Sequence, residues 1–512
     1  MTEWNDGYIT DISYTYGYYG ELNPLREKFA LLSVGLEVSD SRTVCELGFG
    51  QGLSVNIHAA GQPDTAYWGT DFNSAHAGFA QMVAHGSGAN VKLFDQSFAE
   101  FCRRDDLPNF DSIGLHGIWS WISNENQAVI VDFIRRKLNV GGVLYISYNT
   151  MPGWASMVPM RHLLSEHAST MGAPGQGILG RVSGAIAFAE KLMALNPAYA
   201  RANSAVAERL AQIKNQNQNY VAGEYFNGHW RPMPVAEMAS WLESAKLSYA
   251  CSAHFMDHID AVNLTAEQQT FLREIPDPLF RETVRDYMTN SQFRRDYWVR
   301  GGRTHSQLEV IDALRSQRFV LATPQPTDPL KFTGSLGEVK PTAAIYDPIM
   351  EAFADHQPKT LGEVENMVKG KNITLAQLRE AAILLSGGGF LHPAQDDAAI
   401  AKAKPYTSRL NAYLINKSCS SNEISYLSSP VTGGGIVVSR FNQMFLKALA
   451  SGKNSPAEWA AYTWDILSSQ GQMILKDGQT LKTPQENLEE LTTQAKAFAD
   501  KQLPCLKALG IA

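Results

Sequence analysis

The chain lacks the features that mark several large protein classes. Its five cysteines, Cys45, Cys102, Cys251, Cys419 and Cys505, have the spacing of neither a disulfide framework nor a zinc site. They read as reduced thiols, mostly buried as small packing groups, and no metal site is read. No excess of positive charge is present either. The 44 Lys and Arg against 51 Asp and Glu leave a net charge of −7, which argues against a broad duplex-binding face, because phosphate contacts need concentrated Lys and Arg. No nucleic-acid partner is therefore expected. No apolar run approaches the roughly 20 residues of a membrane span. The opening residues Met1 to Asp6 have neither the basic nor the apolar region of a signal peptide, so a cytoplasmic location is expected. Repeats, heptads and low-complexity tracts are missing as well. A chain of 512 residues exceeds what one core organises, so two or three domains are expected.

Against these absences stands one dense signal. Residues 44–52, Val-Cys-Glu-Leu-Gly-Phe-Gly-Gln-Gly, are an apolar run that delivers an acid and then places Gly48, Gly50 and Gly52 at alternate positions. A sharp turn from strand into helix needs residues that tolerate positive φ and carry no Cβ to collide with a ligand. The carboxylate of Glu46 decides between ligands. It would repel the pyrophosphate of a dinucleotide, whereas S-adenosylmethionine brings an ammonium and a sulfonium. Two further acids follow at roughly the length of one βα unit each: Asp71 after Thr65 to Thr70, and Asp95 after Val91 to Phe94. Asp71 is the candidate for the ribose hydroxyls and Asp95 for the adenine amino group, with Ser97 and Phe98 beside the ring. A helix N-cap is the competing reading of either aspartate.

The fold class that follows is α/β, an open Rossmann-like sheet. A fourth strand is read from Asp111 into the loop His116 to Trp121, a helix from Glu125 to Leu138, and a fifth strand from Val143 to Tyr148 that opens into Asn149 to Trp154. Loops at the carboxyl ends of such strands converge on one crevice. Its chemistry would be displacement at a sulfonium methyl, which asks the protein to align a nucleophile and exclude water. Trp119, Trp121, Tyr148 and Trp154 are read as aromatic walls suited to a cation. Singly, each reads rather as core or rim packing; as a set of four the cation wall is the better reading. His116 is a candidate base or a holder of the cofactor's methionine end, with a hydrogen-bonded structural histidine as the alternative. Tyr148 and Asn149 are candidates for orienting the acceptor.

Glu-Leu-Gly-x-Gly-x-Gly at 46–52, His-Gly-Ile-Trp-Ser-Trp at 116–121 and Tyr-Ile-Ser-Tyr-Asn-Thr-Met-Pro-Gly-Trp at 145–154 resemble the bacterial class I methyltransferases that carry a methyltransferase regulatory domain. That group includes protein-lysine methyltransferases acting on rickettsial outer-membrane proteins. The resemblance continues through Glu224 to Pro232 and Asp286 to Arg294, and thins beyond about residue 330. Phe49 stands where many members have Cys, and the entry segment with Tyr14, Tyr16, Tyr18 and Tyr19 differs from that of the lysine enzymes. The resemblance implies S-adenosyl-L-methionine as cofactor and a protein lysine as acceptor. An O-methylated sugar or surface-glycan precursor is the alternative, and a cofactor-binding sensor or scaffold without catalysis is a reading from another class.

The remainder is read as three further regions after a methyltransferase core at 1–154. Ala-, Leu- and Met-rich helices make 155–230 a helical insertion or cap over the crevice. Pro234 to Ala245 and Lys246 to Cys251 form a late helix-strand unit, so 231–322 returns to the sheet and includes a regulatory region. Within it, Thr265 to Gln268 reads as a capping box and Arg273 to Arg300 as a solvated helix face. The Pro-rich Thr323 to Pro329 opens a mainly helical 323–512. Helices from Thr360 and from Leu375 to Leu385 resemble a winged-helix module, read as a protein-recognition element because few basic residues stand on its second helix. Gly433 to Gly435 reads as a turn.

Overall fold

The computed structural model describes residues 7–9, 14–37 and 40–512; Met1 to Asp6, which bear on a leader, lie outside them. Five strands make the parallel part of a sheet: β1 (Thr43–Leu47), β2 (Ala66–Thr70), β3 (Val91–Phe94), β4 (Phe110–Leu115) and β5 (Leu138–Asn149). Before β1 comes α1 (Pro24–Ser33), and between the strands run α2 (Leu53–Gly61), α3 (Ser74–Ser87), α4 (Phe98–Phe101) and α5 (Asn124–Lys137). Two later strands, β6 (Leu247–Ser252) and β7 (Phe293–Arg300), complete the order β3-β2-β1-β4-β5-β7-β6, with β7 antiparallel to both neighbours. Since β1 pairs with β2 on one side and β4 on the other, the strand order reverses there and a crevice opens beyond their carboxyl ends.

Alternation along β5 shows how the sheet is covered. Leu144, Ile146 and Tyr148 face one apolar layer with α5 and the helix Val235–Leu242, while Val143 and Tyr145 face the other with α1 and residues from beyond position 310. Between β5 and β6 the chain leaves the sheet for α6 (Val158–Thr170), α7 (Gly177–Ala194), α8 (Ala198–Ala202), α9 (Ala205–Lys214) and α10 (Gln218–Tyr225). Amphipathic faces give these helices a core of their own, with Leu164, Val182, Ile186, Leu210 and Val221 buried around Trp154.

One expectation is corrected. The stretch Arg273 to Arg300 is not a single solvated helix face: a helix occupies Pro278–Thr289, and the segment after it is β7, buried between β5 and β6. Its charges enter the interior because they are mutually satisfied. Arg294 binds Asp286 at 2.7 Å, Glu282 at 2.9 Å and Asp296 at 3.0 Å, consistent with the rule that buried charges are paired. The capping box at Thr265 and Gln268 is present, and all five cysteines are free, with only Cys419 not fully buried.

The later part of the chain is mainly helical. Strand Arg318–Leu321, which precedes the Pro-rich connector, is the centre of a small antiparallel sheet with Lys359–Thr360 and Leu391–Pro393. Helices Ala343–Ala352, Leu361–Met367 and Leu375–Gly387 lie between these strands in the chain. Helix Asp397–Ser418 packs on α2 and α3. Gly433, at φ +59°, turns a hairpin (Tyr426–Ser429 with Gly434–Val437) that presses on α2. The approach is close: a Cβ on Gly61 would sit 2.6 Å from the Gly433 carbonyl carbon. Side-chain amides of Asn23 and Gln62 donate to the carbonyls of Thr432 and Gly433.

Candidate functional site

A cavity of about 410 Å³ opens at the carboxyl edge of the parallel strands, within the size range of small-ligand sites. Its floor is the turn from β1 into α2. Gly48, Gly50 and Gly52 have φ of +71°, +58° and +68°, and side chains at two of them would collide: a Cβ at Gly48 lies 2.8 Å from Ile118, one at Gly52 2.5 Å from Ala80. Gly48 and Gly50 line the cavity, whereas Gly52 caps α2 behind it. Asp71, at the end of β2, holds the turn. Its Oδ2 accepts the Gly50 N–H at 2.8 Å and its Oδ1 the Asn73 N–H at 3.0 Å, and the carboxylate lines the cavity.

Glu46 is 4% exposed and is not in the cavity wall. Burial, with the Asp71 carboxylate beside it, pushes its carboxyl up to about 8. A cation brought to the neighbouring turn would restore its charge. Elsewhere in the cavity wall, three buried N–H donors have no hydrogen-bond partner among the described residues: Trp121 Nε1, Asn149 Nδ2 and Trp154 Nε1, all from cavity-lining residues. Unmade bonds of this kind are costly. A zwitterionic ligand with a carboxylate to offer and a sulfonium for the aromatic faces fits this set of groups, so the residues present suit S-adenosylmethionine.

His116 also lines the cavity. Its Nδ1 is 2.7 Å from the Tyr145 hydroxyl and its ring stacks on Tyr19 with centroids 3.5 Å apart. Burial pushes it down to about 4, with nearby Glu21 opposing, so the ring is neutral near pH 7. Phe98 joins the wall, but other expected residues are not brought there. Asp95 is exposed just past β3. Ser97 is the N-cap of α4 in a capping box with Glu100, the competing role for a polar residue after a strand. Trp119 is fully buried, its Nε1 on Met233 Sδ, and so belongs to the core. Tyr148 faces the apolar layer below the sheet and donates to Asp296 Oδ2 at 2.7 Å. The period-two alternation of β5 explains the split: Tyr148 points to the layer, and Asn149, one residue on, reaches the cavity.

The rest of the cavity wall comes from segments in which the sequence motifs mark no site residue. Tyr8, Tyr14 and Tyr19 line it from the entry segment, Arg209 from α9, and Tyr220 and Glu224 from α10. Backbone pairing ties entry segment to insertion: the Gly228 N–H donates to the Gly7 carbonyl at 2.8 Å and the Ile9 N–H to Asn227 Oδ1 at 3.0 Å. The tyrosine-rich opening is the sequence signal for this wall. Burial raises the hydroxyls of Tyr8, Tyr14 and Tyr19 well above their usual range, so they stay neutral.

With this geometry in place, known proteins supply the family. Residues 217–300 match the model of a predicted methyltransferase regulatory domain, the stretch from α10 through β7. The chain is 42% identical to the uncharacterized protein sll1526 of Synechocystis sp. over 99% of both chains. It is similar in structure to PKMT2 from Rickettsia typhi in complex with AdoHcy, with a TM-score of 0.73 and 19% identity over 97% of this chain and 100% of that one. The chain belongs to one family with sll1526, matches the predicted methyltransferase regulatory domain over residues 217–300 and has the fold of the class I methyltransferases. Enzymes of this class take their methyl group from S-adenosylmethionine. A shorter match, 28% identical over 31% of this chain and 61% of the relative, is to the uncharacterized protein RP028 of Rickettsia prowazekii.

Proposed function

We propose that this methyltransferase acts on a protein side chain, transferring the methyl group of S-adenosylmethionine to a lysine amine that enters between the sheet edge and the helical insertion. The carrying observation is the aromatic make-up of the cavity wall. Tyr8, Tyr14, Trp121, Trp154 and Tyr220 line it, and ring faces of this kind attract an ammonium or sulfonium. The bound donor supplies an activated methyl on a cationic sulfur. The chain's own residues bind, align and exclude water: the glycine turn and Asp71 hold one end of the cavity, while Asn149 and the two indole N–H groups stand ready to orient polar atoms. A lysine amine, with an ordinary pKa near 10.4, must shed a proton before it can attack. Burial in an aromatic cavity lowers that pKa in the required direction.

O-methylation of a sugar would ask for a general base, and His116 is the candidate. Its pKa near 4 and its engagement with Tyr145 favour the amine over the hydroxyl. The glycine turn, Asp71 and the insertion are proposed as donor site, ribose anchor and acceptor cap. A cytoplasmic enzyme meeting its protein substrate in the cytoplasm completes the reading; among the described residues no helix is long and apolar enough to cross a membrane. The test is incubation of the full chain with labelled donor and cell extract. Label on lysine ε-nitrogen is expected. Label confined to carbohydrate removes the amine reading, and donor binding without any transfer favours a sensor or scaffold.

A further inference from the structure

The aromatic wall contains one carboxylate on the acceptor side. Glu224 lies in the last turn of α10, lines the cavity and keeps part of its surface open to it. Among the described residues it has no hydrogen-bond partner. The nearest cation, Arg209, is engaged elsewhere: its Nε is 3.2 Å from the Tyr225 hydroxyl and its Nη1 is 3.0 Å from Gln292 Oε1. The other carboxylate of the wall, Asp71, is occupied by the backbone N–H groups of Gly50 and Asn73. Glu224 is thus the free acidic group of the cavity among the described residues, carried by the insertion.

We propose that Glu224 is the acceptor-binding carboxylate, receiving the entering lysine ammonium and taking its proton. This rests on the amine reading above. In that step an ammonium N–H bond breaks, a carboxyl O–H bond forms, and the nitrogen keeps the electron pair it needs for attack on the methyl. A carboxylate held among rings selects for a cationic side chain over a neutral hydroxyl, because an uncompensated charge there is relieved only by an opposite one. Burial pushes the Glu224 carboxyl up to about 7, with Arg209 opposing, which narrows the gap between the proton donor and its acceptor. The titratable groups facing it are Arg209 from α9, Tyr8, Tyr14 and Tyr19 from the entry segment, and Tyr220 and Tyr225 from its own helix. The tyrosines stay neutral through the working range, and Glu46, pushed up to about 8 behind the glycine turn, is the same in wild type and in a Glu224 variant, so the pH response that such a variant loses belongs to Glu224.

The test uses Glu224→Gln in the full chain, which keeps the side-chain shape and removes the charge. Calorimetry of the AdoHcy-loaded protein with n-butylamine, the lysine side chain without its backbone, should show saturable binding to wild type at pH 8. That binding should fall at least tenfold in the variant, while AdoHcy affinity stays within twofold and reports an intact fold. Where lysine is the labelled residue, kcat/KM of wild type should rise with pH through about 7, and the variant should lose that inflection. Butylamine binding that is absent in wild type, or equal in both proteins, overturns the assignment. Lysine labelling with an unchanged pH profile in the variant overturns it too and leaves the amine reading standing, whereas label on carbohydrate alone removes that reading and this inference with it.

Discussion

The two ends of the cavity are made from different kinds of structure. The end at the glycine turn is backbone: glycines at positive φ, a carboxylate gripping two N–H groups, and strand ends fixed by a seven-stranded sheet. The rest of the wall is side chains: tyrosines from a short entry segment, which reach the turn itself, and residues of two insertion helices whose small core is separate from that of the sheet. The backbone part is fixed by the sheet, whereas the side-chain part can be rebuilt without disturbing it.

Substitutions should therefore behave differently at the two ends. The largest effect is expected at the glycine turn. Gly52→Val places a branched side chain at φ +68° with its Cβ 2.5 Å from Ala80, and strain plus overpacking should cost about 2–5 kcal/mol. Thermal melts should show a marked drop in Tm and calorimetry the loss of AdoHcy binding; an unchanged melt would mean the turn is not the rigid end. Next comes Tyr148→Phe, which removes a buried donor to Asp296 and should lower stability by ~1–3 kcal/mol with AdoHcy affinity within twofold. Loss of turnover at full stability would instead return Tyr148 to the reacting end.

The last effect is seen only as a pH dependence and concerns Glu27 of α1, a buried carboxyl under the sheet that accepts from Ser112 Oγ at 2.8 Å. Burial pushes it up to about 8. With the folded pKa above the unfolded one, the native state binds the extra proton, so this contribution is full below about pH 4 and is lost as pH rises through about 8. Glu27→Gln should flatten the fall in Tm over that window without touching donor affinity. A fall as steep as that of wild type would show the carboxyl to be ionised throughout.

The same contrast governs how much of the fold and the site is legible in the amino-acid sequence. The donor turn is legible because its constraints are local: positive φ demands glycine at fixed spacing, and strand ends recur with the βα unit. Asp71 and Phe98 reach the cavity for that reason. Residues whose place depends on the pleat are harder to read, since one step along β5 separates core Tyr148 from cavity Asn149, and Trp119 from Trp121 is the same kind of choice across a tight turn. Strand β7 reads as a surface helix because Arg and Asp are ordinarily surface residues, and its Tyr297, Trp298 and Val299 are outweighed by charges that the fold pairs internally. Glu224 and Arg209 lie beyond local reasoning altogether. Only the folding of the insertion over the sheet edge brings them to the site.

The central claim is that the cavity at the β1 turn is the donor site, with Asp71 as its anchor. Isothermal titration of AdoHcy into wild type and Asp71→Ala tests this most directly. One saturable site per chain is predicted for wild type, with affinity lowered by about tenfold or more in the variant, as expected when a charge-assisted acceptor worth ~1.5–3 kcal/mol is removed. Equal affinity in two well-folded proteins, or no uptake by wild type, would contradict it.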